Sequence, residues 1–561
     1  MLEGGISFMR LAGFNPPPTK ILRVQYKPTS VRMHWIDRAA KALLRRDKKH
    51  VIASGISVSG HIHIGHCNDV FIADGVRRAL EELGCKGEAF WYADDFDPMR
   101  RIPWPLNEGK LAERYKRYLG MPYINIPSPD PKYKNFVDFF ARPFIESLDD
   151  FGIDVKIYSG AEIYRSGKMV GPIRTALEHA DKIRAILNRY RSKPLPEDWL
   201  PYDALCERCG RLATTRSLSW HDNYVSYRCE GSDYVVGCGH EGEADFTKGQ
   251  GKLTWRVEWP ARWKLLGVTC EPFGKDHAVV GGSYDTGKLI AEQVFKCRAP
   301  YPVPYEWVSL KGRGMSSSKG VVFTLPQWLE IAEPELLRYF IFRSKPMKAK
   351  DFDPGLALLD LYDECDLVEQ VHFGMVKASA RRGEQFKRIY QLSQLRETPK
   401  RQVQRVPFRF ATVLSQVMRD EKHAINVLTS RGMLTDPSES DIKLAFRRLS
   451  CALNWVSKHA PERLRFKVAE TLPAEAVRFL TKKQKQGLTQ LATDLSSCDF
   501  TPVELHNHIY ELAQRVGLKA PELFKAIYLA LLGRESGPRV GNFISVLDKE
   551  FVISRLTEAA F

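Results

Sequence analysis

The chain lacks the features that would place it in a membrane or outside the cell. Its longest apolar runs, such as residues 526–532, are far too short to cross a bilayer. Residues 1–20 have neither the apolar stretch nor the small-residue cleavage site of a secretory signal. We therefore expect a cytoplasmic protein with no role in a membrane.

Cysteine is too unevenly spread for a disulfide framework. The 11 cysteines are an odd number, and four of them fall within residues 206–238 while the others are scattered. Disulfide-rich domains are small and secreted, and their cysteines pair. The pattern instead favours a metal site and free thiols.

Acidic residues are scarce relative to basic ones. The chain has 67 Asp and Glu against 84 Lys and Arg, which leaves a formal charge of +17 over 561 residues. Such a surplus favours a polyanionic partner through long-range attraction and counterion release, and a basic soluble enzyme is the alternative. The length exceeds a single hydrophobic core and predicts roughly three or four domains.

A strand–helix–strand unit lies near the start. Residues 51–55 form a short apolar run that ends in small residues, which is typical of a buried parallel strand. The next segment has the apolar face of a helix that stops at Gly84, and residues 88–93 predict the second strand. Such a unit predicts an α/β protein with an open parallel sheet and with ligands at the carboxyl ends of its strands.

The pattern of the sequence changes over the following 200 residues. A long helix is predicted at 173–190, and residues 194–252 read as an inserted module of short, cysteine-containing pieces. Beyond the module we expect a strand at 253–257, a helix at 283–296 and a final strand at 307–310.

The first segment with chemistry is His63-Ile64-Gly65-His66, which opens the predicted helix. Glycine lets a backbone approach a nucleotide closely, and a helix amino end presents N–H groups to phosphate. Two histidines three residues apart lie on the same side of a first helical turn, so both can donate hydrogen bonds to a triphosphate. The alternative is a solvated helix cap with incidental histidines.

A second segment, Gly314-Met315-Ser316-Ser317-Ser318-Lys319-Gly320, follows the last predicted strand. It is rich in glycine and serine, and Lys311 and Arg313 precede it. It can form a mobile basic loop that closes over phosphates, whereas an isolated stretch of this kind would be read as a flexible surface loop. The two segments in this order favour a site that activates a carboxylic acid with ATP.

Together the two segments resemble the HIGH and KMSKS signatures of class I aminoacyl-tRNA synthetases. Glu271-Pro272-Phe273-Gly274-Lys275-Asp276-His277 is similar to the Gly-x-Asp element with which that class holds the ribose hydroxyls. With Ala53-Ser54-Gly55-Ile56-Ser57 and Trp255-Arg256-Val257-Glu258-Trp259-Pro260, these pieces resemble the class I lysyl-tRNA synthetase family. The resemblance covers most of residues 50–345 and extends through residues 454–462.

Two positions depart from the family pattern. The family often has Asn where this chain has His66, and the general second signature has a lysine where this chain has Gly314. Lys319, with support from Lys311 or Arg313, must then supply the positive charge for the phosphates.

The resemblance implies a Rossmann-like parallel-sheet catalytic domain followed by all-α domains that bind the anticodon. We expect an N-terminal extension at 1–30, the catalytic domain at 31–345 with a zinc-ribbon-like insertion at 194–252, a helical stem at 346–500 and a helical anticodon-binding domain at 501–561.

The resemblance also implies site residues. The catalytic residues would be His63, His66 and Lys319. The ATP site would consist of His63, Gly65, His66, Gly274, Asp276, Met315, Ser316, Ser317, Ser318 and Lys319. The lysine site would consist of Gly55, Ser57, Asp69, Trp255, His277 and Tyr305. An ammonium held out of water needs a carboxylate, and among Asp69, Asp94 and Asp95 we prefer Asp69; buried aromatic residues and a helix-end aspartate are the structural alternatives.

The cysteine module has the spacing of a structural zinc ribbon. The predicted zinc ligands are Cys206, Cys209, Cys229 and Cys238, and four thiolates would close a tetrahedral site. The second pair is irregular, so His240 could replace one of its members.

The implied reaction attaches L-lysine to tRNA(Lys) through a lysyl-adenylate and releases diphosphate and AMP, with Mg²⁺ on the ATP. We expect a monomer with no DNA partner. A basic stretch at 377–409 would follow the tRNA backbone, or would simply be a solvated helix face. The alternative functions are another class I specificity, such as glutamate, and a non-catalytic tRNA-binding paralogue.

Overall fold

A parallel sheet forms the centre of the first half of the chain. The structure, a computed structural model, describes residues 33–418 and 420–561. The predicted N-terminal extension lies outside the described residues. The first elements are α1 (Trp35–Leu44), β1 (His50–Ile56), α2 (Asn68–Glu82), β2 (Gly87–Ala93), α3 (Gly109–Lys116), α4 (Phe136–Ser147), β3 (Lys156–Ser159), α5 (Gly160–Arg165), α6 (Val170–Glu178) and α7 (Ala180–Asn188).

The inserted module and the segments after it complete this half. Its elements are β4 (Tyr202–Ala204), β5 (Thr215–His221), β6 (Tyr224–Cys229), β7 (Glu241–Asp245), β8 (Gly251–Leu253), α8 (Trp255–Leu266), β9 (Cys270–Gly274), α9 (Ser283–Gln293), β10 (Tyr301–Tyr305), β11 (Val308–Leu310), β12 (Arg313–Gly314), α10 (Leu325–Ile331), α11 (Pro334–Phe342) and β13 (Lys350–Phe352). Short 3₁₀ turns occur at Tyr123–Asn125, Phe246–Lys248, Lys275–His277 and Ser317–Lys319.

The central sheet has the strand order β10-β9-β1-β2-β3, and every pairing in it is parallel. The predicted strands at 51–55 and 88–93 are therefore confirmed as β1 and β2, which pair in register from His50 opposite Gly87 to Ile56 opposite Ala93. Helix α2 connects them and buries Val70, Phe71 and Val76. Because parallel strands share one carboxyl edge, their ends converge on one crevice.

The inserted module is antiparallel. Strands β5, β6 and β7 form a three-stranded sheet, and β4 pairs with β8 where the chain enters and leaves the module. A third sheet has the order β12-β11-β13 and anchors the glycine- and serine-rich loop. The predicted strand at 307–310 thus forms as β11, outside the central sheet.

Two predicted elements are wrong. The single helix at 173–190 is two helices that meet at His179, whose Nδ1 donates to the Thr175 carbonyl at 3.0 Å. The strand at 253–257 ends at Leu253, and α8 begins at Trp255. Trp and Val favour strands, but tryptophans at every fourth position from Trp255 share one helix face and pack together.

The second half of the described chain is helical, as predicted, apart from β13. Its helices are α12 (Ala357–His372), α13 (Ala380–Ser393), α14 (Phe408–Leu414), α15 (Glu421–Ser430), α16 (Glu439–Lys458), α17 (Ala474–Val477), α18 (Lys482–Ser497), α19 (Pro502–Arg515), α20 (Ala520–Leu532), α21 (Val540–Ser545) and α22 (Lys549–Ala560), with a 3₁₀ turn at Glu462–Leu464. Across the described ranges, no helix has both the length and the apolar character that a membrane span requires.

Buried ion pairs join the two halves. Arg448 on α16 contacts Glu333, the N-cap of α11, at 2.8 Å, and both side chains are buried. Within the first half, Arg338 on α11 contacts Asp74 on α2 at 2.7 Å with no exposed area on either side chain. Removal of one partner of such a pair leaves an uncompensated buried charge. The Arg448–Glu333 contact therefore fixes the helical half to α11, and the Arg338–Asp74 contact fixes α11 to α2.

Candidate active site

A cavity of about 870 Å³ opens at the carboxyl edge of the central sheet. Its wall includes Gly55 in β1, Asp94 directly after β2, Gly274 at the end of β9 and Tyr305 at the end of β10. Residues far apart in sequence meet here because the strands that carry them run in the same direction.

The structure brings most of the predicted site residues together around this cavity. Those that line it are Gly55, Ser57, His63, Gly65, His66, Trp255, Gly274, Asp276, His277, Tyr305, Met315, Ser316, Ser317 and Ser318. Two of the predicted residues, Asp69 and Lys319, are not part of its wall.

The two signature histidines lie in a turn that precedes α2, and not in its first turn as predicted. The His63 carbonyl accepts from the His66 and Cys67 backbone N–H groups at 2.8 and 3.2 Å, and the helix proper begins at Asn68. The two imidazole rings stack with centroids 3.6 Å apart, and neither Nδ1 has a partner among the described residues. Burial lowers the pKa of His66 to about 4 and that of His63 well below its usual value, so both rings are neutral donors or acceptors.

Gly65 lies between these rings and the glycine- and serine-rich loop. A Cβ at this position would lie 2.9 Å from Met315 Cε and 3.0 Å from His63 Nδ1. A side chain at this position would therefore press on the Met315 methyl group and on the His63 ring, where the two signature segments meet.

The glycine- and serine-rich loop is anchored against the first segment. Ser317 Oγ donates to the His61 carbonyl at 2.8 Å, and Asn107 Nδ2 donates to the Ser318 carbonyl at 3.1 Å. These contacts hold residues 315–318 in the cavity wall. Lys319 is the last residue of the 3₁₀ turn Ser317–Lys319 and is exposed to solvent.

Asp69 lies behind the cavity wall. Its Oδ2 accepts from the Gly55 backbone N–H at 3.1 Å, and its Oδ1 accepts from the Val70 N–H at 2.6 Å. The side chain is 2% exposed, and burial raises the pKa of its carboxyl to about 8. Asp69 thus supports the Gly55 backbone at the end of β1.

A buried arginine that was not predicted from the sequence forms part of the floor. Arg262 on α8 forms an ion pair with Asp94, and its guanidinium lies 4.2 Å from the Tyr92 ring and 5.3 Å from the Trp255 ring. The spacing of Arg262 seven residues after Trp255, two turns along one helix face, was the available signal.

A second buried cation closes the floor towards the inserted module. Lys252 on β8 is 3% exposed and contacts Asp97 and, at 2.6 Å, Glu258 on α8. Because Lys252 belongs to the last strand of the module, this contact ties the module to the cavity. A lone lysine among β-strand residues carries no sequence signal for such a role.

The four clustered cysteines meet within the inserted module. Their sulfurs all lie within 4.8 Å of one another, with Cys206 and Cys238 Sγ 3.6 Å apart and Cys209 and Cys229 Sγ 3.7 Å apart. Four sulfurs about 2.3 Å from one zinc ion would be about 3.8 Å apart in a tetrahedron. The donor set therefore fits zinc. The His240 ring is held elsewhere, with Nε2 2.7 Å from Glu207 Oε1.

Two family models match the chain. One, described as tRNA synthetases class I (K), matches residues 33–396, and the other, described as an anticodon binding domain, matches residues 458–560. The first covers all of the residues that line the cavity and all four clustered cysteines. The second covers the terminal helices from the end of α16 onward.

Proteins of similar sequence match this chain over nearly its whole length. The lysine–tRNA ligase of Methanosphaera stadtmanae is 42% identical over 93% of this chain and 98% of its own length. Those of Archaeoglobus fulgidus and Methanocaldococcus jannaschii are 40% and 39% identical, over 94% and 93% of this chain and 100% and 99% of their own lengths. The resemblance drawn from the sequence is confirmed, and the chain belongs to the class I (K) family of tRNA synthetases.

Proposed function

We propose that this chain is a lysine–tRNA ligase, which activates L-lysine with MgATP and transfers it to tRNA(Lys). The observation that carries the proposal is the match to three lysine–tRNA ligases at 39–42% identity along nearly the entire chain. The cavity adds a chemical reason, because the two signature segments meet at the edge of the sheet where nucleotides bind.

In the first step a lysine carboxylate oxygen attacks the α-phosphorus of ATP. The new P–O bond forms the lysyl-adenylate, the bond to the β-phosphate breaks, and diphosphate leaves with that electron pair. The reaction needs no protein nucleophile, so the protein contributes position and charge. The neutral His63 and His66 rings donate to the triphosphate, and Gly65 lets the nucleotide approach their backbone.

Gly274 and Asp276 are proposed to hold the ribose of ATP. Both line the cavity, and Asp276 lies in the 3₁₀ turn directly after β9. A carboxylate there can accept hydrogen bonds from two vicinal hydroxyls. Met315 and the three serines after it would then face the nucleotide from the opposite signature segment.

Lys319 is proposed to supply positive charge to the departing diphosphate. Its exposed position at the end of the loop leaves its side chain able to turn towards bound phosphates. Lys311 and Arg313, which are also exposed, can contribute to the same field. The charge on these side chains would act most strongly in the transition state, when the bridging oxygen becomes negative.

The second step transfers the lysyl group to tRNA. The terminal ribose hydroxyl, the 2′-hydroxyl by family resemblance, attacks the carbonyl carbon of the adenylate and AMP leaves.

Part of the basic stretch at 377–409 is neutralised by acidic side chains of the protein, because Arg388 contacts Asp37 at 2.6 Å and Arg405 contacts Glu369 at 2.9 Å. Fewer side chains than the stretch contains are therefore available to a tRNA backbone.

The lysine side chain is proposed to lie among Gly55, Ser57, Trp255, His277 and Tyr305. These residues all line the cavity. A glutamate-specific site would instead need an arginine for the substrate carboxylate. Arg262 is excluded from that role by its pairing with Asp94, whereas Arg100 and Arg101 also line the cavity, so the exchange assay below decides between the two specificities.

We propose that Cys206, Cys209, Cys229 and Cys238 bind a structural zinc ion. When bound, zinc would cross-link the loops of a module that has little core of its own.

The division of the second half into a helical stem that ends at 500 and an anticodon-binding domain that begins at 501 stays a prediction.

ATP–diphosphate exchange with each of the 20 amino acids, with and without tRNA, tests the function. Lysine alone should support exchange, and the purified protein should then charge tRNA(Lys). Exchange with glutamate would establish the other specificity. Absence of exchange with every amino acid, even with tRNA present, would indicate the non-catalytic tRNA-binding paralogue.

A further inference from the structure

Glu271 is a carboxylate in the cavity wall that the reaction described above leaves without a role. It lies on β9 and is 9% exposed. Its Oε1 accepts from Trp259 Nε1 at 2.9 Å, and its Oε2 accepts from Trp263 Nε1 at 2.5 Å. Both oxygens are thus held by neutral donors, which position the carboxylate without cancelling its charge.

Aromatic rings surround this carboxylate. The Trp259 ring has centroid distances of 5.4 Å to the Trp255 ring, 5.4 Å to the Phe273 ring and 5.5 Å to the His277 ring. All of these side chains line the cavity. An aromatic enclosure with a carboxylate beside it is suited to an organic cation, because ring faces and the carboxylate both attract positive charge.

The nearby cations are engaged by other acids. Arg262 forms its ion pair with Asp94, and Lys252 is held by Asp97 and Glu258. Among the described residues, no Lys or Arg nitrogen lies within 4 Å of a Glu271 oxygen, and Arg262 acts on Glu271 only at longer range.

The other carboxylates in the wall are less suited to an added cation. Burial raises the pKa of Asp203 to about 6, and the cations Lys252 and Arg100 already act on its carboxylate. Asp276 is in the 3₁₀ turn beyond the end of β9, where the ribose is expected. Asp69 is outside the wall. Among these carboxylates, Glu271 is therefore the one that can accept a cation from a ligand, because no Lys or Arg side chain of the described residues pairs with it.

We propose that Glu271 binds the side-chain ammonium of the substrate lysine and so selects an amine at that position. The Trp255, Trp259 and His277 rings would enclose the methylene chain and the charged end. This inference rests on the proposed function and names the group that recognises its substrate. A buried carboxylate without a cationic partner is costly, so this position favours a ligand that carries a positive charge.

The test is lysine-dependent ATP–diphosphate exchange by the full-length protein and its Glu271→Gln variant. Gln keeps the size and one acceptor for the indoles but removes the charge. The KM for lysine should rise about thirtyfold, as for loss of a hydrogen bond to a charged group, while the KM for ATP stays within about twofold. The matched control, Glu292→Gln, removes an exposed carboxylate on α9 outside the cavity wall and should leave the KM for lysine within about twofold of the wild-type value.

Norleucine, which is lysine without its ammonium, separates recognition from general damage. Its inhibition constant should be the same for the wild type and for Glu271→Gln within about threefold, because it has no charge to pair. Loss of lysine affinity without loss of norleucine affinity supports the assignment. An unchanged KM for lysine, or an equal loss for both ligands, overturns it.

Two further outcomes remain distinguishable. If thermal unfolding shows that Glu271→Gln does not fold, Glu271→Asp is used instead, because it keeps the charge. This variant should still prefer lysine over norleucine at least tenfold. Loss of that preference in a folded Glu271→Asp protein overturns the inference. If the wild type activates another amino acid and not lysine, the proposed function itself fails.

Discussion

Replacement of Cys238 tests the metal site at its least regular ligand. Its sulfur lies 3.6 Å from Cys206 Sγ, and all four cysteine sulfurs lie within 4.8 Å of one another. His240, the other sequence candidate, has its ring 2.7 Å from a Glu207 oxygen. We therefore expect Cys238→Ser to weaken zinc binding and His240→Ala, the matched control, to leave it unchanged.

The magnitude follows from the geometry. The two observed sulfur–sulfur distances of 3.6 and 3.7 Å are close to the edge of about 3.8 Å that four Zn–S bonds require, so metal binding needs little rearrangement. A structural zinc site contributes about 10–16 kcal/mol near neutral pH. Loss of one of four ligands should cost about 3 kcal/mol, which is about a hundredfold in Kd.

The assay is competition with a chromophoric zinc chelator, together with metal analysis of protein purified without chelators. Wild type and His240→Ala should carry one zinc per chain, whereas Cys238→Ser should lose it to the chelator at about a hundredfold lower concentration. The midpoint temperature of thermal unfolding should be similar for wild type and His240→Ala and lower for Cys238→Ser. Full zinc affinity in Cys238→Ser, or loss of zinc in His240→Ala, would refute the four-cysteine assignment.

Three further predictions concern the cavity and the fold. Lys319→Ala should slow adenylate formation at least about tenfold in diphosphate exchange, and an unchanged rate would remove Lys319 from the phosphate site. Gly65→Ala should raise the KM for ATP about tenfold, since its methyl group would lie 3.0 Å from Nδ1 of the buried His63 ring that is proposed to contact the triphosphate; a normal KM would show that the ring can move aside. Burial lowers the pKa of His34 to about 4, so the unfolded chain takes up its proton first as pH falls below about 6.5. As the pH falls from 7.5 to 5, protonation of this histidine in the unfolded chain should lower the free energy of unfolding by about 2 kcal/mol. Urea titrations should show that His34→Gln removes this part of the pH dependence. Equal pH dependence in both proteins would show that the pKa of His34 is not lowered.

The strand–helix–strand unit was predictable because it is local. A buried parallel strand is apolar over most of its length, and both β1 and β2 have such a run, at residues 51–53 and 89–93. The helix at 255–266 was missed because the residues at its start favour strands individually, and only the spacing of three tryptophans marks the helix. The break at His179 depends on a side-chain contact with a carbonyl one turn back, which no composition reveals.

The residues of the candidate site also fall into those that the sequence predicts and those that it does not. Its signature segments carry their chemistry in adjacent residues, so they could be identified before any fold was known. The role of a single carboxylate could not. Asp69 and Glu271 are both acids next to apolar residues in the sequence, but the first is bonded to the Gly55 backbone and the second to two indoles in the cavity wall.

The sequence by itself determined the family, the α/β class of the first half, the helical second half and the two segments that contact ATP in the proposed reaction. Local periodicity and contiguous residues carry all of these. The tertiary structure alone decided which charges are neutralised, which cysteine completes the cluster and which carboxylate is left for a substrate cation. Those outcomes depend on distances of 2.5–4 Å between residues remote in the chain, and only the packed fold sets such distances.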